Sequence, residues 1–438
     1  MKYSKQEVIQ YVAEEDVKFI RLAFCDVFGI QKNISIMPGE LARAFEYGIA
    51  FDASSIAGFG DEKNCDLLLH PEPDTLSLLP WRPEHGKVVR MFSNITYPDG
   101  RPFERDTRSL LKRAVADAAK CGYHFDFGAE QEFYLFHLDE NGNPTKTPYD
   151  EASYMDIAPE DRGENIRREI CLTLEQMGIL PESSHHEAGP GQNEIDFRYS
   201  DAVTAADNTI TFQNIAKIVA RRNGLFADFG AKPLTDKPGN GFHINVSVKK
   251  RSISDNISEK DAGNIDENNN ENDSALSFMI AGILEKISDI TAFLNPTESS
   301  YQRFGQNKAP EYISWSRENR SHLIRIPAAI GKYRRAELRS SDPSANPYLA
   351  FALIIYAGLY GIKCERPLPQ EARFNSYTAD PERLKHLSRL PASLESACRI
   401  ARGSSFVEEH LPPALIDAYC RKFVQTKSQE TQECAMEN

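Results

Sequence analysis

The 438-residue chain has no apolar run long enough to span a bilayer, no paired-cysteine motif, no excess of positive charge and no common phosphate-loop signature. Each absence removes a class of function. The longest apolar stretch, near Leu349 to Ile362, falls short of the roughly 20 residues a membrane helix needs. It also follows a helix-start signal, so it reads as a buried core helix. The opening residues MKYSKQEVIQ carry no apolar signal core. The eight cysteines (Cys25, Cys65, Cys121, Cys171, Cys364, Cys398, Cys420, Cys434) are scattered, without CxxC or metal-like spacing. Both observations point to a reducing, cytoplasmic setting with no membrane partner. Acidic residues outnumber basic ones, 64 to 51, for a formal charge of -13. That balance argues against a nucleic-acid partner, because neutralising phosphates needs clustered Lys and Arg. Neither a GxxxxGKS/T loop nor the HRD and DFG motifs of protein kinases occurs, so those two solutions to phosphoryl transfer are out.

What is present is a soluble globular composition, 41% hydrophobic and 26% charged, in a chain too long for one ordinary core. Residues 4–15 read as an amphipathic helix, and VKFIRLAFCDVFGIQKNISI as a hairpin turning at Gly29. VVRMFSNITYP is a further strand, and the turn-rich PDGRPFERD marks a junction, giving domains 1–103 and 104–438. Beyond it, helical and strand patterns alternate: TRSLLKRAVADAAKCGY, FDFGAEQEFYLFHL, ENIRREICLTLEQMGI, then AADNTITFQNIAKIVARRNG and GNGFHINVSVKK. The fold class is therefore mixed α and β. Lys249 to Asp273, rich in Asn, Asp, Glu and Ser, reads as a mobile surface loop.

The chemistry concentrates in short charged motifs. YRRAELRSSDPSANPY sets Arg335, Glu337 and Arg339 at alternate positions, so a strand would turn all three to one face. Buried, such a row is costly without compensating charge in front of it. Glu130 and Glu132 in GAEQEF likewise share a strand face, and would repel unless a cation intervenes. Glu187 in HHEAGPGQNE, Glu194 seven residues on, His243 in GFHINVS and Glu337 extend the set. Carboxylate oxygens with a single imidazole suit magnesium or manganese better than zinc. His185 and His186 fit a surface or supporting role as readily as ligation. Arg320 and Arg325 in ENRSHLIRIPA, with Lys332, Arg335 and Arg339, form a second, basic cluster matched to phosphate or carboxylate.

Taken in order, FDASSI, GAEQEF, HHEAGPGQNEIDF, GNGFHINVS, WSRENRSHLIRIPA and RAELRSSDPSANPYLAFA resemble the prokaryotic type I glutamine synthetases over nearly the whole chain. The resemblance implies an α+β protein: an N-terminal β-grasp-like domain and a glutamine-synthetase-type catalytic domain. It further implies a homo-oligomer, a dodecamer of two hexameric rings with sites shared between subunits. The implied reaction joins L-glutamate and ammonium with ATP through γ-glutamyl phosphate, a step of nitrogen assimilation using two Mg2+ or Mn2+ ions. One metal would be held by Glu132, Glu187 and Glu194 and the other by Glu130, His243 and Glu337. Arg339 and Arg320 would meet glutamate and the transferred phosphoryl group, with Arg303 and the Gly239 backbone also on glutamate. Arg325, Arg335 and Lys332 would face the ATP phosphates, with Tyr199 and Ser247 near the nucleotide. Asp52 would reach a neighbouring subunit's site and take a proton from ammonium. Two alternatives carry the same motifs: a γ-glutamyl ligase for an alkylamine or polyamine, and a catalytically silent relative.

The chain departs from that pattern in four places. Lys308 stands where many relatives carry a flap acid before Ala-Pro, with Glu311 three residues on as a substitute. Pro238 replaces the usual Asn of the loop before His243, and Asn245 replaces a second His in a position expected to bear on the nucleotide. Ala53 stands for a Gly, a mild change unless φ is positive there. No adenylylation loop is recognisable after Gly361, so covalent control of that kind is not expected.

Overall fold

A computed structural model describes residues 3–60, 63, 65–82, 85–250, 269–317, 319–329 and 331–420, with the backbone alone described at 269–271 and 332. The N-terminal part opens with helix α1 (Lys5–Glu14), whose Ser4 and Glu7 form a reciprocal capping box. Strands β1 (Val17–Cys25) and β2 (Gln31–Ile36) make the expected hairpin, followed by α2 (Leu41–Tyr47), β3 (Ile49–Asp52), β4 (Asp66–Pro71), β5 (Ser77–Leu78) and β6 (Lys87–Thr96). They form one sheet in the order β2-β1-β6-β4-β3, with β5 on β6. The pairing of β1 with β6 is parallel.

Helix α3 (Thr107–Lys120) leads into the second sheet. Its strands are β7 (Tyr123–Leu138), β8 (Pro144–Pro148), β9 (Pro181–His186), β10 (Gln192–Phe197), β11 (Ser200–Asp201), β12 (Leu225–Asp228), β13 (Phe242–Lys250), β14 (Trp315–Arg317), β15 (Ile324–Ile326) and β16 (Ala336–Leu338). The main path is β14-β15-β16-β13-β7-β10-β9, so the 16-residue β7 is its spine. Between the strands lie α4 (Glu164–Gln176), α5 (Ala202–Arg222), α6 (Asn269–Leu294) and α7 (Glu298–Tyr301), and after them α8 (Pro347–Lys363). Helix α8 is the apolar stretch of the sequence, and all of it but Tyr360 and Lys363 is buried. It crosses α6 at glycines: a Cβ on Gly282 would lie 2.2 Å from the Ala357 carbonyl and one on Gly361 2.0 Å from that of Phe278. Larger residues would force the helices apart.

His185 and His186 lie on strand β9. Two expectations shift. The regular strand in RAELR is only Ala336–Leu338, so Arg335 and Arg339 flank it. The polar segment is strand at Lys249 and Lys250 and helix from Asn269; residues 251–268 lie outside the described residues.

A charge cluster joins the two sheets. Arg108 on α3 donates from Nε and Nη2 to Asp207 of α5 at 2.9 and 2.8 Å, and from Nη1 to Glu72 at 2.6 Å. Glu72 also accepts from Lys112 and, at 2.7 Å, from Asn94 of β6. The Tyr348 hydroxyl donates to Asp207 at 2.7 Å. Every carboxylate here has a cation or hydroxyl on it.

Candidate active site

Cross-strand pairing assembles the acidic side chains. In an antiparallel ladder, directly opposed residues share a face and stand about 5 Å apart. Glu194 on β10 opposes Glu132 on β7 on one side and His185 on β9 on the other. Glu130 opposes Asp196 of β10 and His243 of β13. Glu337 of β16 opposes Asn245 of β13 and Arg325 of β15. Five strands from four separate parts of the sequence thus lay one band of carboxylates and imidazoles across the sheet, with Glu187 in the loop just after β9.

Ligand atoms of Glu130, His243 and Glu337 all lie within 4.8 Å of one another, the donor set expected for one metal. Glu132 and Glu194 group in the same way with His243, while Glu187 groups with Glu194 and His185. Glu132, Glu187 and Glu194 all line one cavity of about 130 Å³. Gly241 leaves room between these groups: a Cβ there would sit 2.8 Å from His243 Nε2 and 3.1 Å from Glu132 Oε1.

The electrostatics fit a cation. Burial, with Glu132 close by, pushes the Glu187 carboxyl up to about 7. Burial, with the Asp196 and Glu132 charges, holds Glu194 well above the usual carboxylate range. Asp196 rises to about 7 through burial and the nearby Glu130 charge. Glu130 goes the other way: burial opposes its charge, but His243 and Asn245 hold it at about 2. Three carboxyls pushed upward by burial and by one another's charge are what a divalent ion would ionise and bind.

Asp196 was not singled out from the sequence. Its position two residues after Glu194 on a strand, the spacing used for Glu130 and Glu132, was the available signal. One of its oxygens takes the Ser183 hydroxyl and the other is buried without a partner.

The two adjacent histidines divide roles. His186 is fully buried, its Nδ1 2.6 Å from the Glu187 carbonyl and its Nε2 2.8 Å from Asp150 Oδ1. Both partners accept, so both ring nitrogens carry protons, and Asp150 raises the imidazolium's pKa against the pull of burial. His186 therefore braces the Glu187 backbone. His185 faces the cavity acids, 3.5 Å from Glu194 and 3.8 Å from Glu187.

Glu337 is buried and takes Arg325 and Arg339 together. Arg339, Arg320 and Arg303 line the cavity. The Arg303 guanidinium is spent partly on the Ser340 and Ser341 carbonyls at 3.2 and 3.1 Å. Gly239 also lines it, and a Cβ there would lie 2.5 Å from the Ala231 carbonyl and 2.6 Å from Arg303 Cγ. A second cavity, of about 90 Å³, is lined by Tyr199, Ser247, Asn245 and Arg335. The Lys332 side chain lies outside the described residues. Asp52 is exposed at the end of edge strand β3, with Ser54 N donating to it at 2.8 Å, and does not line the carboxylate cavity.

The departures from pattern resolve individually. Asn245 donates to Glu130 Oε1 at 2.7 Å and accepts from Arg335 Nε at 2.8 Å, so it bears on the acidic band as well as on the second cavity. Glu311 does not replace the flap acid: its carboxylate faces Arg389 at 3.4 Å and is not among the cavity lining. Lys308 does line the cavity. Pro238 lines it too, its carbonyl accepting from Tyr134 Oη at 2.7 Å, while Asn240 is buried and bonded to backbone carbonyls. Ala53 is not among the positive-φ residues, which makes that exchange mild.

Comparison with known proteins gives a consistent result. Residues 16–98 match the family model "Glutamine synthetase, beta-Grasp domain" and residues 104–438 "Glutamine synthetase, catalytic domain". The glutamine synthetase of Clostridium saccharobutylicum is 43% identical over 413 residues, covering 94% of this chain and 92% of the relative. That of Methanosarcina mazei is 43% identical over 427 residues, covering 96% and 93%. Among solved structures, a GmaS–ADP complex superposes with a TM-score of 0.84 at 27% identity, covering 97% of this chain and 96% of that one. Plasmodium falciparum glutamine synthetase shares the fold at a TM-score of 0.84 and 22% identity, covering 99% and 97%.

Proposed function

The chain belongs to the glutamine synthetase family, and from that premise we propose that it is a glutamate–ammonia ligase, making L-glutamine from L-glutamate and ammonium with ATP. The observation that carries the proposal is the band of five glutamates and one histidine from separate strands and one loop: Glu132, Glu187, Glu194 and His243 line a cavity with Arg303, Arg320 and Arg339, and Glu130 and Glu337 group with His243. A silent scaffold has no use for such a band, since its mutual repulsion only destabilises the fold.

In this reading Glu132, Glu187 and Glu194 hold one Mg2+ or Mn2+, and Glu130, His243 and Glu337 the other. Bound there, the ions supply positive charge that lets two anionic reactants meet. Arg303, Arg320 and the Gly239 backbone orient glutamate. Arg325, Arg335 and Lys332 face the ATP phosphates, and Tyr199 and Ser247 flank the nucleotide. The glutamate γ-carboxylate attacks the terminal phosphorus, the bond to ADP breaks, and Arg339 and Arg320 stabilise the charge on the transferring group. The product is γ-glutamyl phosphate. Asp52, supplied by a second copy of the chain, takes a proton from ammonium. Its charge is kept available because Ser54 hydrogen bonds hold its carboxyl below the usual carboxylate range. Ammonia then attacks the acyl carbon and phosphate leaves.

We place the unit that presents Asp52 at 1–103 and the catalytic unit at 104–438, in a ring-shaped homo-oligomer of the cytoplasm. Among the described residues no helix is long and apolar enough to cross a membrane. Phosphate release with glutamate and ATP, compared across ammonium, methylamine and a polyamine, tests the proposal. Dependence on ammonium sustains it. A marked preference for a larger amine would replace it with the γ-glutamyl-amine alternative that the Lys308 position raises.

A further inference from the structure

Lys308 brings a positive charge to a corner built to hold one. Its Nζ lies 4.9 Å from the centroid of the Tyr154 ring, a cation–π contact. The Tyr154 ring meets His185 edge-on at 5.5 Å, and His185 stands against Glu187 and Glu194. Lys308 and Glu187 line the same cavity. An aromatic face beside a carboxylate is a recognition surface for ammonium-type cations, so the lysine fills from within a place suited to a cationic substrate.

The backbone holds it there. Gly305 N donates to the Ala309 carbonyl and Ala309 N to that of Gln306, both at 2.9 Å, closing residues 305–309 into a tight loop. Asn307 and Lys308 sit at φ 45° and 69°, a left-handed conformation that non-glycine residues seldom adopt. A strained loop turning a lysine inward at a cavity is a departure that invites a functional account.

We propose that Lys308 is a specificity-determining residue: a tethered cation that competes with the amine substrate for the Tyr154–Glu187 corner. A single small cation can displace the Nζ group and take over the ring and the carboxylate. A polyamine must bring further positive charges past the displaced lysine, which repels them. The lysine thereby narrows the site to ammonium, at the cost of weaker ammonium binding. This rests on the glutamate–ammonia ligase reading and names what selects its amine.

The test is steady-state kinetics of wild type, Lys308→Gln and Lys308→Glu with glutamate, ATP and Mg2+ fixed at saturation. Neutralising the lysine should lower the ammonium KM about tenfold, because repulsion between two cations a few ångströms apart is removed. Lys308→Glu should lower it further and admit a diamine, while the KM values for glutamate and ATP change less than twofold. An unchanged ammonium KM in both variants, or equal shifts in all three substrates, overturns the proposal, since a merely structural loop residue would act without such selectivity. Thermal unfolding supplies an activity-free readout. Ammonium chloride, against equal sodium chloride, should stabilise Lys308→Gln more than wild type, and equal stabilisation counts against the idea. If wild type uses no ammonium at all, the ligase reading fails by itself; the melting comparison then still decides whether Lys308 competes for a cation site.

Discussion

Two buried charge clusters in this protein are built to opposite rules. At the junction of the sheets, Asp207 and Glu72 are fully matched by Arg108, Lys112, Asn94 and Tyr348, and Glu72 is held at about 2: burial opposes its charge, and Arg108 with Lys112 outweighs it. On the catalytic sheet, Glu187, Glu194 and Asp196 face one another with too few donors, and all three are pushed upward. The first cluster is satisfied by its own chain and serves the fold. The second lacks compensating charge of its own, which supports the proposal that ligands bind there. Burial of charge does not distinguish them; the balance of charge does.

The comparison breaks most visibly if one acid is removed from the unbalanced cluster. Glu132→Gln should cut glutamine formation by well over the roughly 10–100-fold that loss of even an outer-shell partner costs a metal site. It should leave the metal-free melting temperature unchanged or higher, because a repulsion goes with it. Arg108→Ala inverts the pattern. It leaves Asp207 buried without its bidentate partner and should cost about 3–5 kcal/mol of stability by denaturant unfolding. A smaller effect sharpens the contrast. Mg2+ should raise the wild-type melting temperature by mass action, about 2.7 kcal/mol at a hundred times its Kd, and should do less for Glu132→Gln. Equal stabilisation of both would mean that the ion binds elsewhere.

Much of this was legible before the coordinates, for reasons that differ by residue. Alternation fixed which side of β7 carries Glu130 and Glu132, since a strand's period leaves no freedom. It also put Glu337 on one face with its neighbours, although the regular strand proved only three residues long. The order of motifs brought in the family and with it the remaining candidate ligands. Register was beyond reach: no local pattern says that Glu194 opposes Glu132, or that Asp196 therefore falls beside Glu130. The shared face of Asp196 and Glu194 was legible from their spacing, but the place of Asp196 beside Glu130 was not. The direction of flexible side chains was equally hidden, so Glu311 looked available until it proved to face Arg389. The balanced cluster was invisible because its members, Glu72, Arg108, Asp207 and Tyr348, share no motif and meet only through tertiary packing.

The subtlest consequence is a difference of sign in the pH dependence of stability. Glu72 has a folded pKa of about 2 against an ordinary 4.5, so it binds fewer protons folded than unfolded. Its contribution is whole above pH 4.5 and is lost as pH falls toward 2. Glu187 and Asp196, at about 7 against ordinary values of 4.5 and 3.8, bind more protons folded than unfolded. Their contribution is whole below the ordinary values and is lost as pH rises through 7. Metal-free protein should therefore lose stability on both sides of a maximum near pH 4–5. Glu72→Gln should flatten part of the acid limb, while Glu130, Asp126, Asp150 and the other carboxyls held low keep the rest. Mg2+ should flatten the limb between pH 5 and 7 alone, because a bound cation favours the ionised carboxylates and removes their reason to hold protons. Chemical denaturation across pH 3–8, with and without Mg2+, reads both limbs. An ion that left the pH 5–7 limb untouched would show that these carboxyls are not its ligands.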